Sequence, residues 1–283
     1  MANLKEIRNR ITSVGSTMQI TSAMKMVSAA KLKRAQDAIT QMRPYSEKLQ
    51  EILQNVSGTL DLSENAFTEV RTEGKTLILA VTSNRGLCGG FNNNIIKASN
   101  TLLNEGNVLV LPIGKKAIDA FKRNPNFVES PVLDMFANLS FQNSAEVTQF
   151  AMNKFMSKEV NKVVVVYNKF VNAANQSVQV EQLLPIEAST NEGSSAAGDY
   201  IYEPGKGEIV EDLIPKSLKI QFFKALLDSS ASEHGARMTA MHKATDNAQE
   251  LRRALKLSYN KARQAAITNE ILEIVGGAEA LKG

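Results

Sequence analysis

Residues 76–82 read TLILAVT, and two further runs of the same kind, NVLVLPI at 107–113 and KVVVVY at 162–167, decide the fold. Short, continuous apolar runs such as these are typical of strands that are buried on both faces of a sheet. Helical patterns lie between and beside them, at about 91–104, 115–123 and 143–159. Strands that alternate with helices at this spacing predict a parallel α/β sheet.

The chain that follows the third run predicts an edge of this sheet. Residues 176–184 (QSVQVEQLL) alternate between apolar and polar side chains, a pattern that indicates an edge strand. Residues 187–199 (EASTNEGSSAAGD) are polar and rich in Ser, Gly and Ala, which is typical of a mobile surface loop. We therefore expect an α/β domain over about 75–200.

Residues 1–60 carry the pattern of one long helix. A walk in steps of three and four residues meets apolar side chains at nearly every position, which indicates a heptad seam rather than the face of a globular helix. The polar exceptions include a cluster, where we expect the seam to loosen: Thr21, Lys25 and Ser28. A second apolar stripe runs beside that cluster: Ile20, Met24 and Val27. Pro44 is expected to kink the helix or to mark a join between two helices.

The last 75 residues show the same kind of seam. A walk from Ile220 meets mostly apolar positions, many of them alanine, among them Met241, Ala244, Ala248, Leu251, Leu255, Ser258 and Ala262. Small seam residues allow two helices to approach closely. We therefore expect the segments 1–60 and 208–283 to pair as an antiparallel coiled coil. The C-terminal helix is the longer one, so its tip must either project alone or be wrapped by a partner.

Composition and charge limit the kinds of function. The net charge is +4, and the excess of Lys and Arg lies at the two ends of the chain, which implies an acidic partner such as nucleic acid, lipid headgroups or an acidic protein surface. The single cysteine excludes an intramolecular disulfide and suits a reducing compartment. The start of the chain lacks the apolar run of a secretory signal, and no run of about 18 apolar residues predicts a membrane span.

No stretch of the sequence predicts a catalytic, cofactor-binding or metal site. Residues 83–92 (SNRGLCGGFN) are rich in glycine and precede a helix, as a phosphate-binding loop does, but their spacing fits neither common nucleotide motif. A tight turn with close backbone packing is the simpler interpretation. Cys88 has no candidate base beside it and is interpreted as a packing residue. His234 and His242 lack the spacing of a zinc site.

Four stretches resemble the gamma subunits of bacterial F-type ATP synthases. Residues 20–32 (ITSAMKMVSAAKL) resemble the N-terminal signature of that family, and residues 233–248 resemble its C-terminal signature. Residues 259–271 (YNKARQAAITNEI) are the most specific match, and residues 83–89 (SNRGLCG) fit as well. The resemblance runs along the whole chain in order.

The resemblance implies a fold and a function. Gamma subunits pair their terminal helices into a coiled coil around a Rossmann-like domain that binds no dinucleotide, and they are rotor shafts without an active site or a cofactor. The implied partners are the alternating alpha and beta subunits, the epsilon subunit and the membrane ring of c subunits. The implied location is the cytoplasmic side of the bacterial plasma membrane, where the chain is held peripherally through the complex.

The motif match also implies which residues bind partners. The residues expected to contact the beta loops are Arg263, Gln264, Thr268 and Glu270, with Met24 and Lys25 near that region on the shorter helix. The residues expected at the foot of the shaft, against the c ring or epsilon, are Tyr200, Tyr202 and Glu203. The paired regulatory cysteines of chloroplast gamma subunits are missing, so no thiol switch is expected.

Two other classes of protein and one related type of stalk subunit remain as alternative interpretations. A basic coiled-coil nucleic-acid-binding protein would show a salt-sensitive gel shift, but that class leaves the α/β domain and the low aromatic content of 6% unexplained. A nucleotide-dependent α/β enzyme with helical arms would bind nucleotide saturably, against which the glycine spacing argues. A V/A-type central-stalk subunit should lack the α/β domain.

Overall fold

The computed structural model describes residues 4–57, 66–71, 74–132, 134–186 and 206–280. Its elements in chain order are α1 Leu4–Ser57, β1 Lys75–Val81, α2 Phe91–Asn104, β2 Val108–Ile113, α3 Lys115–Phe121, α4 Phe141–Met156, β3 Val160–Phe170, β4 Gln176–Leu184 and α5 Lys206–Ala280. The loop predicted at 187–199 and the candidate residues Tyr200, Tyr202 and Glu203 lie outside the described residues. No described helix is both long enough and apolar enough to cross a membrane.

Two compact units share the long helices. One contains Met1–Ser28 and Met238–Gly283, and the other contains Ala29–Arg237. The helix α1 is continuous through Pro44, so a join between two helices at that proline is wrong. The long terminal helices pack together and flank a four-stranded sheet, which confirms the predicted fold class.

The sheet has the strand order β2-β1-β3-β4. The strands β1, β2 and β3 are parallel, as predicted, and β4 pairs with β3 in the antiparallel direction at the predicted edge position. Because side chains alternate along a strand, β1 directs Leu77 and Leu79 to one face and Ile78 and Ala80 to the other. Both faces are therefore buried, which explains the continuous apolar runs in the sequence.

Each face of the sheet is covered by a different pair of helices. On one face, Phe155 of α4 and Phe222 of α5 are fully buried against the strands. On the other face, Ile95 of α2 and Phe121 of α3 fill the second core. The helix α4 begins where Ser140 caps it, since the Ser140 Oγ accepts from the Asn143 N–H at 3.3 Å.

In the other unit, α1 and α5 form an antiparallel pair. Thr21 and Thr245 place their hydroxyl oxygens 2.8 Å apart, and Arg8 donates a hydrogen bond to the Tyr259 hydroxyl at 3.0 Å. Residue numbers thus fall on α5 as they rise on α1, which is the signature of antiparallel helices.

The expected loosening of the α1 seam at Thr21 and Ser28 is wrong. Both side chains are buried, whereas Ile20 and Val27 of the supposed second stripe are 60% and 57% exposed. The Ser28 hydroxyl donates to the Met24 carbonyl, and the Thr21 hydroxyl donates to the Met18 carbonyl at 3.1 Å. Because a hydroxyl can bond to a carbonyl one turn back, these polar residues enter the seam without leaving a buried group unpaired.

The α5 seam follows a different phase from the predicted one. Met241, Ala248, Leu255 and Ala262 face α1 as expected, whereas Leu251 is exposed. The intervening contacts are made four residues after Met241, Ala248 and Leu255 rather than three, at Thr245, Arg252 and Tyr259. From 263 to 279 every α5 residue is exposed. Within this unit, the predicted tip without a helical partner is therefore confirmed.

Candidate functional surfaces at the sheet edge and on α5

The glycine-rich loop after β1 is a tight, internally bonded turn. The Asn92 side chain accepts from the Ser83 N–H at 2.9 Å and donates to the Ser83 hydroxyl at 2.9 Å. It also lies 3.2 Å from the Cys88 sulfur. These polar groups of the loop therefore bond to one another, which agrees with the interpretation of the sequence as a tight turn.

Arg237 of α5 fastens this loop to the helix. One guanidinium nitrogen, Nη2, donates to the carbonyls of Arg85 at 3.1 Å and Gly86 at 3.3 Å. The other, Nη1, lies 2.6 Å from the carboxylate of Glu233, one turn earlier on α5. The Glu233 and Arg237 side chains are both buried. The family-like stretch around Arg237 thus has a structural role, since it closes the end of the sheet.

Further contacts bring α5 against the end of β3. The Ser232 hydroxyl donates to the Asn168 carbonyl at 2.9 Å, and the Asn168 side-chain amide donates to the Phe91 carbonyl at 3.1 Å. A Cβ at Gly235 would lie 3.2 Å from the Cα of Ala173, closer than most side chains approach, so glycine favours this close contact of the helix.

These contacts occupy the place where doubly wound sheets bind ligands. That place lies beyond the carboxyl ends of the strands where the strand order reverses, here at β1 and β3. The α5 residues described above fill it. The neighbouring edge of β1 and β2 is closed by Thr82, whose hydroxyl accepts from the Ala117 N–H at 2.8 Å. The geometry therefore argues against the nucleotide-dependent enzyme.

Burial controls the titration of this cluster. It raises the pKa of the Glu233 carboxyl above its ordinary value, although Arg237 opposes the shift. It lowers the pKa of His234 to about 4, so this ring is neutral near pH 7. It also raises the pKa of the Cys88 thiol. A thiol held in its neutral form is a poor nucleophile, which agrees with a packing role for Cys88.

Asp228 gives a prediction for the dependence of stability on pH. Burial on α5 raises the pKa of its carboxyl, outweighing the attraction of Lys224, Lys169 and Arg43. The folded chain thus holds this proton more firmly than the unfolded chain. The associated stability is present at acid pH and is lost as the pH rises through the raised pKa.

Replacing Asp228 with Asn should therefore raise the midpoint of thermal unfolding at pH 7 by about 2–4 °C, the response of a large domain to roughly 1 kcal/mol. The gain should shrink as the pH is lowered to 4. Circular dichroism melts at the two pH values test this. A gain at pH 4 that equals the gain at pH 7 would refute the explanation.

The predicted partner-binding residues on α5 all lie on its exposed end. Arg263, Gln264, Thr268 and Glu270 are exposed, and the Thr268 hydroxyl bonds to the Gln264 carbonyl at 2.9 Å. Helical periodicity places Gln264 and Thr268 within an exposed apolar stripe and Arg263 and Glu270 along its edge. The large apolar side chains of this end are Ile267, Ile271, Leu272, Ile274 and Val275.

Met24 and Lys25 had been expected close to that end of α5, but they lie far from it along the helix pair. Both are half-buried on α1, and the Lys25 Nζ lies 3.3 Å from the Nδ1 of His242. From His242 to Arg263 the helix rises by about 30 Å. The structure therefore keeps these two sets apart.

Exposed apolar residues on α1 are a feature that sequence reasoning misplaced. Ile20 and Val27, together with Met26 at 66% exposure, present an apolar surface on the helix pair. The spacing of Ile20, Met24 and Val27 had marked a second stripe beside the seam, but its exposure to solvent had not been predicted. Large exposed apolar patches are typical of surfaces that partners cover.

An exposed apolar stripe on the end of a long helix is typical of a subunit that binds partners in a larger assembly. A family model described as ATP synthase matches residues 3–281. The ATP synthase gamma chain of Flavobacterium psychrophilum is 60% identical over 287 residues, covering 100% of each chain. The chain belongs to the ATP synthase gamma chain family.

Two solved structures share the fold. A chain from the central stalk and c ring of the Tetrahymena thermophila mitochondrial ATP synthase is 26% identical, with a TM-score of 0.61 over 80% of this chain and 99% of that one. A chain of the Euglena gracilis mitochondrial enzyme has a TM-score of 0.69 at 23% identity, over 98% and 94%. The chain is thus an ATP synthase gamma chain, a non-catalytic subunit of that complex. This decides against the nucleic-acid-binding and V/A-type alternatives.

Proposed function

We propose that this chain couples rotation of the membrane ring of c subunits to ATP synthesis and hydrolysis at the beta subunits. The observation that carries the proposal is the exposed end of α5, where residues 263–279 have no cover from their own unit. An apolar stripe of this size requires a partner in the assembled state. The alternating ring of alpha and beta subunits is that partner, and the beta loops contact Arg263, Gln264, Thr268 and Glu270.

The coupling follows from differential contact. A shaft whose faces differ offers each beta subunit a different surface, and a ligand that binds two states unequally shifts the population between them. Rotation then takes each beta site in turn through states that bind ADP and phosphate, form ATP and release it. Met24 and Lys25 form a second contact with the beta subunits, about 30 Å from the first along the helix pair.

The remaining partners and the location follow from the same assignment. Residues 1–60 and 208–283 are the shaft, and residues 75–200 form the domain that rests on the c ring with epsilon. Tyr200, Tyr202 and Glu203, which lie outside the described residues, are proposed as contacts to the c ring or epsilon. The complex places the chain peripherally on the cytoplasmic side of the bacterial plasma membrane.

Reconstitution tests this function. The chain is mixed with the matching alpha and beta subunits, and gel filtration and steady ATP hydrolysis are followed. It should co-elute with the ring and stimulate hydrolysis. If it elutes alone and leaves hydrolysis unchanged, the proposal is wrong.

Substitution of the α5 contacts sharpens the test. The triple replacement Arg263→Ala, Gln264→Ala and Thr268→Ala should reduce the stimulated hydrolysis about tenfold, equivalent to about 1.4 kcal/mol. Glu273→Ala is the matched control, because Glu273 is exposed and helical periodicity places it on the opposite side of the same helix end. Equal rates of hydrolysis for the triple variant and the control would show that Arg263, Gln264 and Thr268 do not contact the beta loops.

A further inference from the structure

One ring nitrogen of His242 lies between two oppositely charged side chains. In the unit formed by 4–28 and 238–280, the Nδ1 of His242 is 3.3 Å from the Nζ of Lys25 on α1. The same Nδ1 is 3.4 Å from a carboxylate oxygen of Asp246, one turn further along α5. The His242 and Asp246 side chains are 56% and 57% exposed, so protons exchange freely with water.

The two contacts require different states of Nδ1, which must lack a proton to accept from Lys25 and must carry one to donate to Asp246. When His242 is neutral and its proton is on Nε2, Nδ1 accepts a hydrogen bond from the Lys25 ammonium. When the ring is charged, Nδ1 carries a proton, so it can donate to Asp246 but can no longer accept from Lys25. The imidazolium also repels the ammonium group. Protonation therefore replaces a bond between two helices by a bond within one helix.

We propose that His242 is a switch operated by protonation of its ring. The neutral ring binds Lys25 of α1, and the charged ring releases Lys25 and binds Asp246. Histidine is the side chain type whose charge changes between about pH 5 and 8. Among the described residues, Lys25 on α1 and Asp246 on α5 are the charged groups that face the ring.

The helices themselves stay in place when the switch operates. One turn away, the hydroxyls of Thr21 and Thr245 lie 2.8 Å apart, and the Thr245 hydroxyl also bonds to the Met241 carbonyl at 2.8 Å. This contact is uncharged and does not respond to pH in this range. Protonation thus moves the flexible Lys25 side chain without displacing the α1 backbone.

The consequence for assembly rests on the proposed function. If Lys25 faces the beta subunits, its ammonium group is shared between His242 and the acidic groups of the partner. At higher pH the neutral His242 ring competes with the partner for the Lys25 ammonium group. At lower pH the charged ring no longer binds Lys25, and only the partner does. Acidification would then strengthen this contact of the shaft.

The switch itself is tested on the full chain without any partner. Histidine labelled with ¹⁵N gives two ring systems, because the chain contains two histidines. His234, whose pKa burial lowers to about 4, remains neutral at pH 6.5 and serves as the internal reference. The measured quantity is the ratio of charged to neutral His242 at pH 6.5, read from the nitrogen shifts.

The two partners should act in opposite directions. Lys25→Met removes the repelling cation and should raise the ratio about twofold, while Asp246→Asn should lower it about twofold, the size typical of exposed pairs. Lys243→Met is the matched control, because it removes a neighbouring exposed cation on α5 that does not face the ring. It should leave the ratio within experimental error.

Unchanged ratios in Lys25→Met and Asp246→Asn, or shifts in the same direction, would overturn the proposal. Far-ultraviolet circular dichroism checks that each variant retains its helices. Because the measurement uses no alpha or beta subunit, its failure would leave the proposed coupling function standing. Conversely, a chain that fails to assemble with the ring could still show the switch.

Discussion

Replacing Arg237 with alanine should lower the free energy of unfolding by about 3–5 kcal/mol, because it removes one member of a buried ion pair. The Glu233 carboxylate, whose pKa burial already raises, would be left without its partner. The carbonyls of Arg85 and Gly86 would also lose their donor. Urea unfolding followed by circular dichroism measures the loss.

Two further variants separate this pair from general effects of arginine loss. Arg253→Ala removes an exposed arginine from the same helix and should change stability by less than about 0.5 kcal/mol. The double replacement Glu233→Ala and Arg237→Ala should be more stable than Arg237→Ala alone, because no carboxylate is then buried without a partner. If Arg237→Ala lowers the free energy of unfolding no more than Arg253→Ala does, the contacts of Arg237 with Glu233 and with the loop after β1 do not stabilise the fold.

Gly114→Ala should destabilise the chain by a similar amount, about 3–5 kcal/mol, through strain and overpacking together. Gly114 has a φ of +94°, which side-chain-bearing residues rarely adopt. A Cβ at this position would lie 2.2 Å from the carbonyl oxygen of Thr82. That oxygen belongs to the backbone at the end of β1, so it cannot move aside cheaply. Urea unfolding or the yield of folded protein shows the effect.

Other glycines provide the controls. Gly106 has a φ of +89° but open space around its Cβ position, so Gly106→Ala isolates the backbone strain and should cost about 1–3 kcal/mol. Gly277 lies within α5 with open space around it, and Gly277→Ala should be neutral or stabilise by up to about 1 kcal/mol. If Gly114→Ala lowers the free energy of unfolding no more than Gly106→Ala does, the close contact with the Thr82 carbonyl does not contribute to the loss.

The elements of the fold could be predicted because their causes are local. The runs at 76–82, 107–113 and 162–167 are apolar because their strands are buried on both faces, and the alternating run at 176–184 lies at an edge. The heptad pattern of α1 likewise follows from the periodicity of a helix that packs along one stripe. Such patterns repeat every few residues and can be read without knowing what lies opposite.

The candidate site was only partly predictable. The exposed end of α5 follows from the unequal lengths of the two terminal helices, which are visible in the sequence. The distance between Lys25 and Arg263 is not visible, because it depends on which residue of α5 faces each residue of α1. The contacts of Thr21 with Thr245 and of Arg8 with Tyr259 set that register.

The sequence by itself determined the strands, the helices, the parallel sheet and the family, since each depends on a period or a motif within one segment. Tertiary structure alone decided that Thr21 and Ser28 are buried, that the α5 seam passes through Thr245 rather than Ala244, and that Arg237 closes the ligand crevice of the sheet. These outcomes depend on pairs of residues more than a hundred positions apart or on burial by a distant helix. A local pattern contains no information about which partner a side chain will meet.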